Sequence, residues 1–560
     1  MPTKLSPVAR ILNLVKLERK EITAVYFYAI LNGLIQLSLP LGIQAIIGFV
    51  LGATMRASLI VLIALVVAGV LAAGIMQVNQ MKIIEKIQQK LFVRYAFAFA
   101  DHIPRLDLKK TDQVYLPELI NRFFDVPVLQ KSLSKILLDI PTASIQIIFG
   151  LILLSFYHPA FILFGFVLII LLWMILRYTG NRALETSIVE SNYKYRVAGW
   201  LQETARVIKS IKLAKSNDFH LQKTDGLVTG YLDARNAHFR ILLMQYHVLV
   251  IFKTIITAAM LIVGTLLLVD QQLNIGQFIA AEIIILLVLT SVEKLIMNMG
   301  SVYDTLTSVE KIGNLTDKPK EENGSVHLTD TGKGLQVELK NLGFSYNDET
   351  AVLSKINLLI KANEKICIQG KDSSGKSTLL RVMAGAYTGF NGSMLINDVP
   401  LGNYYLDSVR SQTGVLINQQ DIFQGTVWDN ISLGNENISM QTVIDLAAKT
   451  GLNDFIATLK NGYDTMLDPA GKRLPRNVVH KILLLRALAG GPRLLLLEEP
   501  WQDSENHNRQ KIIRLLDQME NVTLVVVSND PDFAAICDQV INIEAGKVGV
   551  QSSINPKTNL

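Results

Sequence analysis

The segment Gly370–Thr378, GKDSSGKST, has the residue types and spacing of a phosphate-binding loop. Glycines let the backbone turn so that successive N–H groups point at phosphate oxygens, and a helix that begins directly after the loop adds its positive end. KICIQG before the loop has the pattern of a strand and LLRVMAGA after it that of a helix, which is the context that the motif requires. Lys376 is therefore predicted to reach the β- and γ-phosphates of a nucleotide, and Ser377 to ligate Mg²⁺. The other predicted nucleotide contacts in the loop are Gly370, Lys371, Asp372, Ser373, Ser374, Gly375 and Thr378.

A second chemical signal is RLLLLEEP, Arg493–Pro500, an apolar run that ends in two carboxylates. A buried parallel strand has this pattern, and parallel sheets bind their ligands at the carboxyl ends of the strands. Glu498 is predicted to face the Mg²⁺ ion, and Glu499 to polarise the water that attacks the terminal phosphate. The alternative, a strand followed by a solvated acidic turn, is less favoured beside a phosphate loop.

Six apolar runs in the N-terminal half approach or exceed the length of about 20 residues that a membrane-spanning helix needs. They lie near residues 22–51, 57–79, 136–157, 160–177, 244–269 and 275–297. Lys and Arg are frequent before the first run and in 82–135 and 177–240, whereas the alternate loops are short and almost free of them. Because basic residues mark the cytoplasmic side, both termini are predicted to be cytoplasmic. The two long basic segments have helical periodicity, which predicts helices that extend beyond the membrane.

The composition agrees with a membrane domain joined to a soluble one, since 50% of the residues are hydrophobic and only 18% are charged. The formal net charge is +6, but the basic residues form no cluster with interleaved aromatic residues, so no nucleic-acid partner is expected. A polar stretch at 317–333 interrupts the apolar pattern and predicts a linker. The expected organisation is a membrane domain at 1–310, a linker at 311–334, an α/β nucleotide-binding domain at 335–548 and a tail at 549–560.

The chain contains two cysteines, Cys367 and Cys537. Neither has a His or Cys at metal-ligand spacing nearby. Both are expected to be buried cytoplasmic thiols.

The order of the C-terminal motifs resembles an ATP-binding-cassette (ABC) domain. The motifs are Ser345–Tyr346, GKDSSGKST, IFQGTVWDNI at Ile422–Ile431, LPRNVVHKILLLRAL at Leu474–Leu488, LLLLEEP, and VVVSND at Val525–Asp530. Together with the six spans they are similar to an ABC exporter half-transporter. LPLGIQ at Leu39–Gln44 and IGQFIAA at Ile275–Ala281 are similar to the first and last spans of bacterial type I secretion exporters, which move proteins out of the cell.

This resemblance implies an α-helical six-span exporter domain followed by an α/β P-loop NTPase domain, in a bacterial inner membrane. It implies a transport ATPase that exports a polypeptide and binds ATP and Mg²⁺ between the nucleotide domains of a homodimer or heterodimer. Related exporters work with a periplasmic adaptor and an outer-membrane channel. Many also carry an N-terminal peptidase-like domain, which is not expected here because the first span begins near residue 22. The resemblance places Tyr346 against adenine, Asn418 at a conserved glutamine position, and Asn529 at a catalytic switch histidine.

Several positions depart from the family pattern. The family's signature, Leu-Ser-Gly-Gly-Gln, appears as Leu474, Pro475, Arg476, Asn477 and Val478. Pro475 has neither hydroxyl nor N–H, and Arg476 places a side chain where the backbone of the family approaches the partner's γ-phosphate. Glu498 stands in place of an aspartate. Asn418 stands in place of a glutamine, and the neighbouring Gln419 and Gln420 take over that role only if the loop shifts. Nucleotide binding is therefore predicted to be intact and hydrolysis to be weak.

Three functions remain open from the sequence: a polypeptide exporter, a catalytically degenerate subunit that pairs with a competent partner, and a small-molecule or lipid exporter. Two charged residues within the spans, Lys253 and Glu282, are candidates for the substrate path. Equally, Lys253 can extend to the cytoplasmic boundary while Glu282 lies near the outer interface.

Overall fold

The computed structural model of the chain describes residues 5–52, 56–112, 114–214, 218–347, 350–418 and 420–553. These residues divide into two compact units. The N-terminal unit comprises Met1–Pro104 and Val114–Lys318, and the C-terminal unit comprises Arg105–Gln113 and Pro319–Leu560.

The described residues of the N-terminal unit form helices joined by short turns and irregular segments. Its α-helices are Pro7–Leu17, Arg19–Gln36, Ser38–Leu51, Arg56–His102, Leu116–Ile120, Asp125–Tyr157, Ala160–Arg206, Ile208–Leu213, Phe219–Val269, Ile275–Met297 and Met299–Thr316, with 3-10 turns at Ile103–Arg105 and Asn121–Phe124. The first apolar run is two helices that meet at Leu37. Pro40 lies in the first turn of the second helix, where its missing N–H breaks no intrahelical hydrogen bond.

Six helical segments are long and apolar enough to cross a membrane, which confirms the six predicted spans. They are Arg19–Leu51, Ala57–Arg105, Leu116–Tyr157, Ala160–Arg206, Phe219–Val269 and Ile275–Thr316. Ala160–Arg206 has 47 residues. At 1.5 Å per residue such a helix is roughly 70 Å long, about twice the thickness of a hydrocarbon core. Helices of this length extend well beyond the membrane, as the periodicity of the basic segments predicts.

Small and polar side chains bring the third span against the first and the sixth. A Cβ atom on Gly150 would lie 2.6 Å from Cγ2 of Val288, so the two helices can approach this closely only at a glycine. Gln146, which is buried, donates to Oε1 of Gln36 and accepts a 2.8 Å hydrogen bond from Oγ of Ser291. Polar groups that lie within a membrane are costly unless they find such partners. This network therefore ties spans one, three and six together.

The C-terminal unit is an α/β structure built around a mainly parallel sheet. The strands are β1 Val337–Phe344, β2 Leu353–Ile360, β3 Lys365–Gln369, β4 Asn391–Ile396, β5 Val399–Pro400, β6 Thr413–Leu416, β7 Gly425–Thr426, β8 Met466–Leu467, β9 Leu494–Glu498, β10 Thr523–Val527, β11 Gln539–Glu544 and β12 Lys547–Ser553. The main sheet has the order β12-β11-β3-β10-β9-β6, and β2-β1-β4-β5 form a second, antiparallel sheet. All five residues of β9 are buried, because helices cover both faces of the parallel strands.

Short helices surround these sheets. The α-helices of the unit are Leu108–Thr111, Lys376–Met383, Leu406–Arg410, Val427–Ser432, Met440–Thr450, Asn453–Thr458, Arg476–Ala489, Asn506–Asp517 and Pro531–Ile536, and the 3-10 turns are Leu401–Asn403, Gly462–Asp464 and Pro469–Gly471. The six-span helical domain and the α/β domain that the sequence predicts are both confirmed.

The boundaries of these units differ in detail from the expected ranges. The helix Met299–Thr316 covers the first residues of the expected linker, and β12 pairs with β11 to Ser553, within the expected tail. Residues 105–112, expected in the membrane domain, pack on the C-terminal unit. Asp107 caps the helix Leu108–Thr111, and Nζ of Lys109 donates a 2.6 Å hydrogen bond to the carbonyl of Gly389. The bond from Lys109 joins positions that are 280 residues apart in the chain, so sequence periodicity does not reveal it.

Candidate functional site

The predicted phosphate loop connects β3 to the helix Lys376–Met383, and its glycines occupy positions that exclude side chains. Gly370 has φ 147° and Gly375 has φ 102°, values that L-residues rarely adopt. A Cβ on Gly370 would lie 2.3 Å from the carbonyl oxygen of Ile543, and one on Gly375 would lie 2.9 Å from a side-chain carbon of Leu353. The loop conformation therefore requires glycine at both ends.

Lys376 is the first residue of the helix and its ammonium group lies over the loop. Nζ donates to the carbonyl oxygens of Gly370 at 2.7 Å and Lys371 at 2.6 Å. The helix N-terminus and this ammonium group place positive charge at one point, which suits the binding of an anionic phosphate. Of the other predicted loop contacts, Asp372 and Ser373 are exposed, while Ser374 and Thr378 are buried.

Glu498 lies at the carboxyl end of β9 and connects two further predicted site residues. Oε1 accepts a hydrogen bond from Oγ of Ser377, and Oε2 accepts one from the backbone N–H of Asn418 at 2.8 Å. Glu498 is 4% exposed. The structure thus brings together Ser377, Glu498 and Asn418, although Asn418 contributes its backbone rather than its side-chain amide to this contact.

Glu499 follows in a left-handed backbone conformation, with φ 45°. Burial raises the pKa of its carboxyl, and a hydrogen bond from Ser528 opposes that change. Oγ of Ser528 donates to Oε2 of Glu499 at 2.9 Å. A carboxylate with a raised pKa is a stronger base than an exposed one, as the polarisation of water requires. Sequence reasoning missed Ser528, although it directly precedes Asn529 in the VVVSND motif.

Asn529, predicted at the switch position, contacts the first residue of the phosphate loop. Its Oδ1 accepts from the N–H of Gly370 at 3.2 Å, and its Nδ2 donates to the carbonyl of Gly370 at 3.4 Å. A cavity of about 440 Å³ borders Gly370, Lys371 and Asn529. The side chain of Asn529 therefore joins β10 to the loop beside an open space.

Tyr346 lies beside the helix that follows the loop. Its hydroxyl is 3.0 Å from Oγ1 of Thr378, and its ring packs edge-on against Phe344 and Tyr387 at centroid distances of 5.1 and 5.4 Å. These contacts hold the ring next to the nucleotide loop. Stacking of this ring on adenine stays a prediction.

The segment that replaces the family signature begins the helix Arg476–Ala489. Pro475 is its N-cap and forms no side-chain capping hydrogen bond. Pro475 and Arg476 are exposed, Leu474 and Asn477 are half-buried, and Val478 is buried. Proline is accepted at a helix start because no N–H is needed there. The helix thus forms, but its first turn offers neither a hydroxyl nor the free backbone of glycine.

Gln420 does not substitute for the glutamine expected at Asn418. The side chain of Gln420 bonds back to its own segment, with Oε1 3.4 Å from the N–H of Ile417 and Nε2 3.3 Å from the carbonyl of Val415. Gln419 lies outside the described residues.

Within the spans, Lys253 pairs with Glu293 rather than with Glu282. Nζ of Lys253 is 2.9 Å from Oε2 of Glu293, which sequence reasoning did not consider. The sequence signal for this pair is the acidic residue on the next span, 40 positions after Lys253. Glu282 lies near Gly264 and Phe278 and forms no ion pair among the described residues.

The residues present fit a nucleotide with Mg²⁺. Hydroxyl and carboxylate oxygens are the hard ligands that Mg²⁺ prefers, and it is usually bound by few protein groups together with substrate phosphates. Among the described residues, no group of three or more His, Cys, Asp or Glu side chains is placed to hold a metal on its own. Ser377 and Glu498 provide the few protein ligands that Mg²⁺ needs when the phosphates of a nucleotide supply others.

Comparisons with known proteins identify the family and the fold of the chain. The family model described as ABC transporter transmembrane region matches residues 22–292, and the one described as ABC transporter matches residues 353–502. The solved structure of a bacterial Atm1-family ABC exporter with ATP bound superposes with a TM-score of 0.85 over 96% of each chain. The sequence identity is 16%, so this likeness concerns the fold alone.

Among curated relatives, a probable ABC transporter ATP-binding/permease protein of Haemophilus influenzae is 29% identical over 52% of this chain and 52% of its own length. The α-hemolysin translocation ATP-binding protein HlyB of Escherichia coli O157:H7 is 27% identical over 62% of this chain and 49% of its own. The cyclolysin secretion/processing ATP-binding protein CyaB of Bordetella pertussis is 26% identical over the same shares. The chain thus spans about half the length of the curated relatives it matches. With a six-span helical domain and a phosphate-loop domain that match the two family models in this order, the chain belongs to the ABC transporter family and has the fold of an ABC exporter.

Proposed function

We propose that this chain is a half-transporter of the bacterial inner membrane that binds Mg-ATP and exports a polypeptide as part of a dimer. The observation that carries the nucleotide assignment is the contact set of Lys376, Ser377 and Glu498 around the glycine-bounded loop. The polypeptide substrate is supported by the relatives named for α-hemolysin translocation and cyclolysin secretion. A periplasmic adaptor and an outer-membrane channel are the partners that such a role requires.

Each group at the site has a role in this proposal. Lys376 and the loop N–H groups bind the phosphates, Ser377 and Glu498 hold Mg²⁺, and Glu499 orients and polarises the attacking water with Ser528 fixing its carboxylate. Mg²⁺ supplies charge neutralisation on the phosphate oxygens. Tyr346 contacts adenine, and Asn529 keeps the loop in place.

The signature segment favours a second form of this function, in which the chain pairs with a different, competent subunit. In a homodimer both ATP sites would face Pro475 and Arg476, whose exposed side chains replace a hydroxyl and a glycine. In a heterodimer one site would combine Lys376 and Glu499 of this chain with the partner's signature. A single active site per dimer is the consequence.

An ATPase assay on the purified chain in detergent tests these alternatives. Alone, the chain is expected to hydrolyse ATP more slowly than ~1 s⁻¹, the low end of typical enzyme rates, and Glu499→Gln is expected to remove that activity. Reduced, unfolded casein should raise the rate, whereas added lipid or a cationic dye should not. Stimulation by lipid or dye alone would instead identify a lipid or small-molecule exporter. An unstimulated rate above ~10 s⁻¹ would contradict the degenerate site.

The orientation of the chain is tested by thiol labelling in sealed cells. Gln272→Cys, in the loop after the fifth span, should react with a membrane-impermeant maleimide, whereas Lys212→Cys should be protected, because the basic segments are proposed to be cytoplasmic. Both positions are exposed, and the native Cys367 and Cys537 are fully buried, so they give little background. Labelling of Lys212→Cys without permeabilisation would overturn the proposed orientation.

A further inference from the structure

Both carboxylate oxygens of Glu498 are held in place. One contacts the hydroxyl of Ser377, the other accepts the 2.8 Å hydrogen bond from the N–H of Asn418, and the side chain is 4% exposed. β9 itself is fixed between β10 and β6, with Glu498 opposite Val527. The carboxylate therefore has little freedom to move away from Ser377.

The contact between Glu498 and the hydroxyl of Ser377 depends on the length of the glutamate side chain. An aspartate at the end of the same strand would be shorter by one methylene, about 1.5 Å of reach. Its carboxylate would stop short of hydrogen-bond distance from the Ser377 hydroxyl, and a water molecule would be needed to bridge the gap. With Glu498, the hydroxyl and the carboxylate are in direct contact and need no bridging water.

The arrangement of the two oxygens also suits a cation. Mg²⁺ binds six ligands in an octahedron at 2.0–2.1 Å, so neighbouring ligand oxygens are about 3 Å apart, close to a hydrogen-bond distance. A hydroxyl and a carboxylate oxygen already in hydrogen-bond contact can thus occupy neighbouring positions on one ion after a small adjustment. The bond from Asn418 binds the other carboxylate oxygen and leaves Oε1 directed towards Ser377.

We propose that Glu498 ligates Mg²⁺ directly, next to Ser377, and that the ion bound with nucleotide therefore carries one water molecule fewer than it would with aspartate at this position. This inference rests on the proposed nucleotide-binding function. Glu498 is then a specificity-determining residue for the metal, since a site with fewer exchangeable waters imposes more of its own geometry on the ion.

The test uses Mn²⁺ as a paramagnetic probe on the full chain in detergent, with a non-hydrolysable ATP analogue. Electron spin resonance in ¹⁷O-enriched water counts the water molecules bound to Mn²⁺. The count is expected to rise by one in Glu498→Asp, and also by one in Ser377→Ala, which removes the neighbouring ligand. Glu436→Gln, which removes an exposed carboxylate of the same domain outside the site, should leave the count unchanged.

Equal water counts in the wild type and Glu498→Asp, with nucleotide bound in both, would overturn the inference. So would a wild-type nucleotide complex that binds Mn²⁺ no better than the free nucleotide does. Nucleotide binding is measured separately with a fluorescent ATP analogue, with and without chelator. Failure of the wild type to bind nucleotide in either condition would overturn the proposed function itself, and the inference with it. Thermal unfolding of each variant shows whether the fold is retained.

Discussion

Lys376→Ala is expected to raise the Kd for Mg-ATP at least a hundredfold in the full chain. The substitution removes charge-assisted hydrogen bonds to phosphate, which contribute about 1.5–3 kcal/mol each, and a factor of ten in affinity corresponds to about 1.4 kcal/mol. It also removes the two bonds from Nζ to the carbonyls of Gly370 and Lys371 that hold the loop in shape. Calorimetry or a fluorescent ATP analogue measures the affinity.

Lys371→Ala is the matched control for this prediction. It removes the same charge from the same loop, but Lys371 is exposed and enters the described hydrogen bonds of the loop only through its carbonyl. Charges in contact with water are screened, so its effect on Kd should be less than about tenfold. Equal affinities for the wild type and Lys376→Ala would show that Gly370–Thr378 is not the phosphate-binding loop.

Restoring Ser-Gly-Gly at Pro475, Arg476 and Asn477 is expected to raise the ATPase rate of the chain alone at least tenfold. In the proposed dimer, the new hydroxyl and backbone N–H groups at this helix start would contact the γ-phosphate on the partner chain. One donor of this kind is worth about 2.7–4 kcal/mol of transition-state stabilisation in a well-formed site. The serine would also cap the helix that Pro475 leaves without a side-chain hydrogen bond.

Two further variants show what such a result means. The restored chain with Glu499→Gln should fall back to the background rate, because the gain must pass through the same catalytic carboxylate. Arg473→Gly, an exposed position just before the segment, should change the rate little. An unchanged rate in the restored chain would place the limit elsewhere, at Asn418, Glu498 or Asn529, or in the lack of a partner chain.

Local patterns in the sequence were enough to predict the elements and to name the candidate site residues. Apolar runs of membrane-spanning length identified six spans, because a helix in lipid must bury every backbone polar group within itself. The phosphate loop was equally clear, since Gly370 and Gly375 occupy conformations that few other residues tolerate. The apolar run before Glu498 identified a strand buried on both faces. In each case the signal lies within one segment of the chain, so the types and the spacing of its residues are enough to recognise it.

The relationships between segments could be decided only by the tertiary structure. The pairing of Lys253 with Glu293, the bond from Ser528 to Glu499 and the contact of Asn529 with Gly370 all join residues on different elements. The placement of residues 105–112 against the C-terminal unit is of the same kind. Such contacts depend on how helices pack and on which strands are neighbours. Periodicity reports which face of an element is buried, but not which partner it meets.

Glu498 illustrates both what the sequence predicts and what only the tertiary structure decides. Its type and its place after the four leucines Leu494–Leu497 predicted a carboxylate near Mg²⁺, because parallel strands bind ligands at their carboxyl ends. That its extra methylene reaches the hydroxyl of Ser377, while Asn418 holds the other oxygen through its backbone, follows only from the order of β3, β10, β9 and β6 in the sheet. The sequence determined which groups are present at the site. The fold determined the distances between them, because those distances are set by strand pairing that brings together residues 80 and 121 positions apart in the chain.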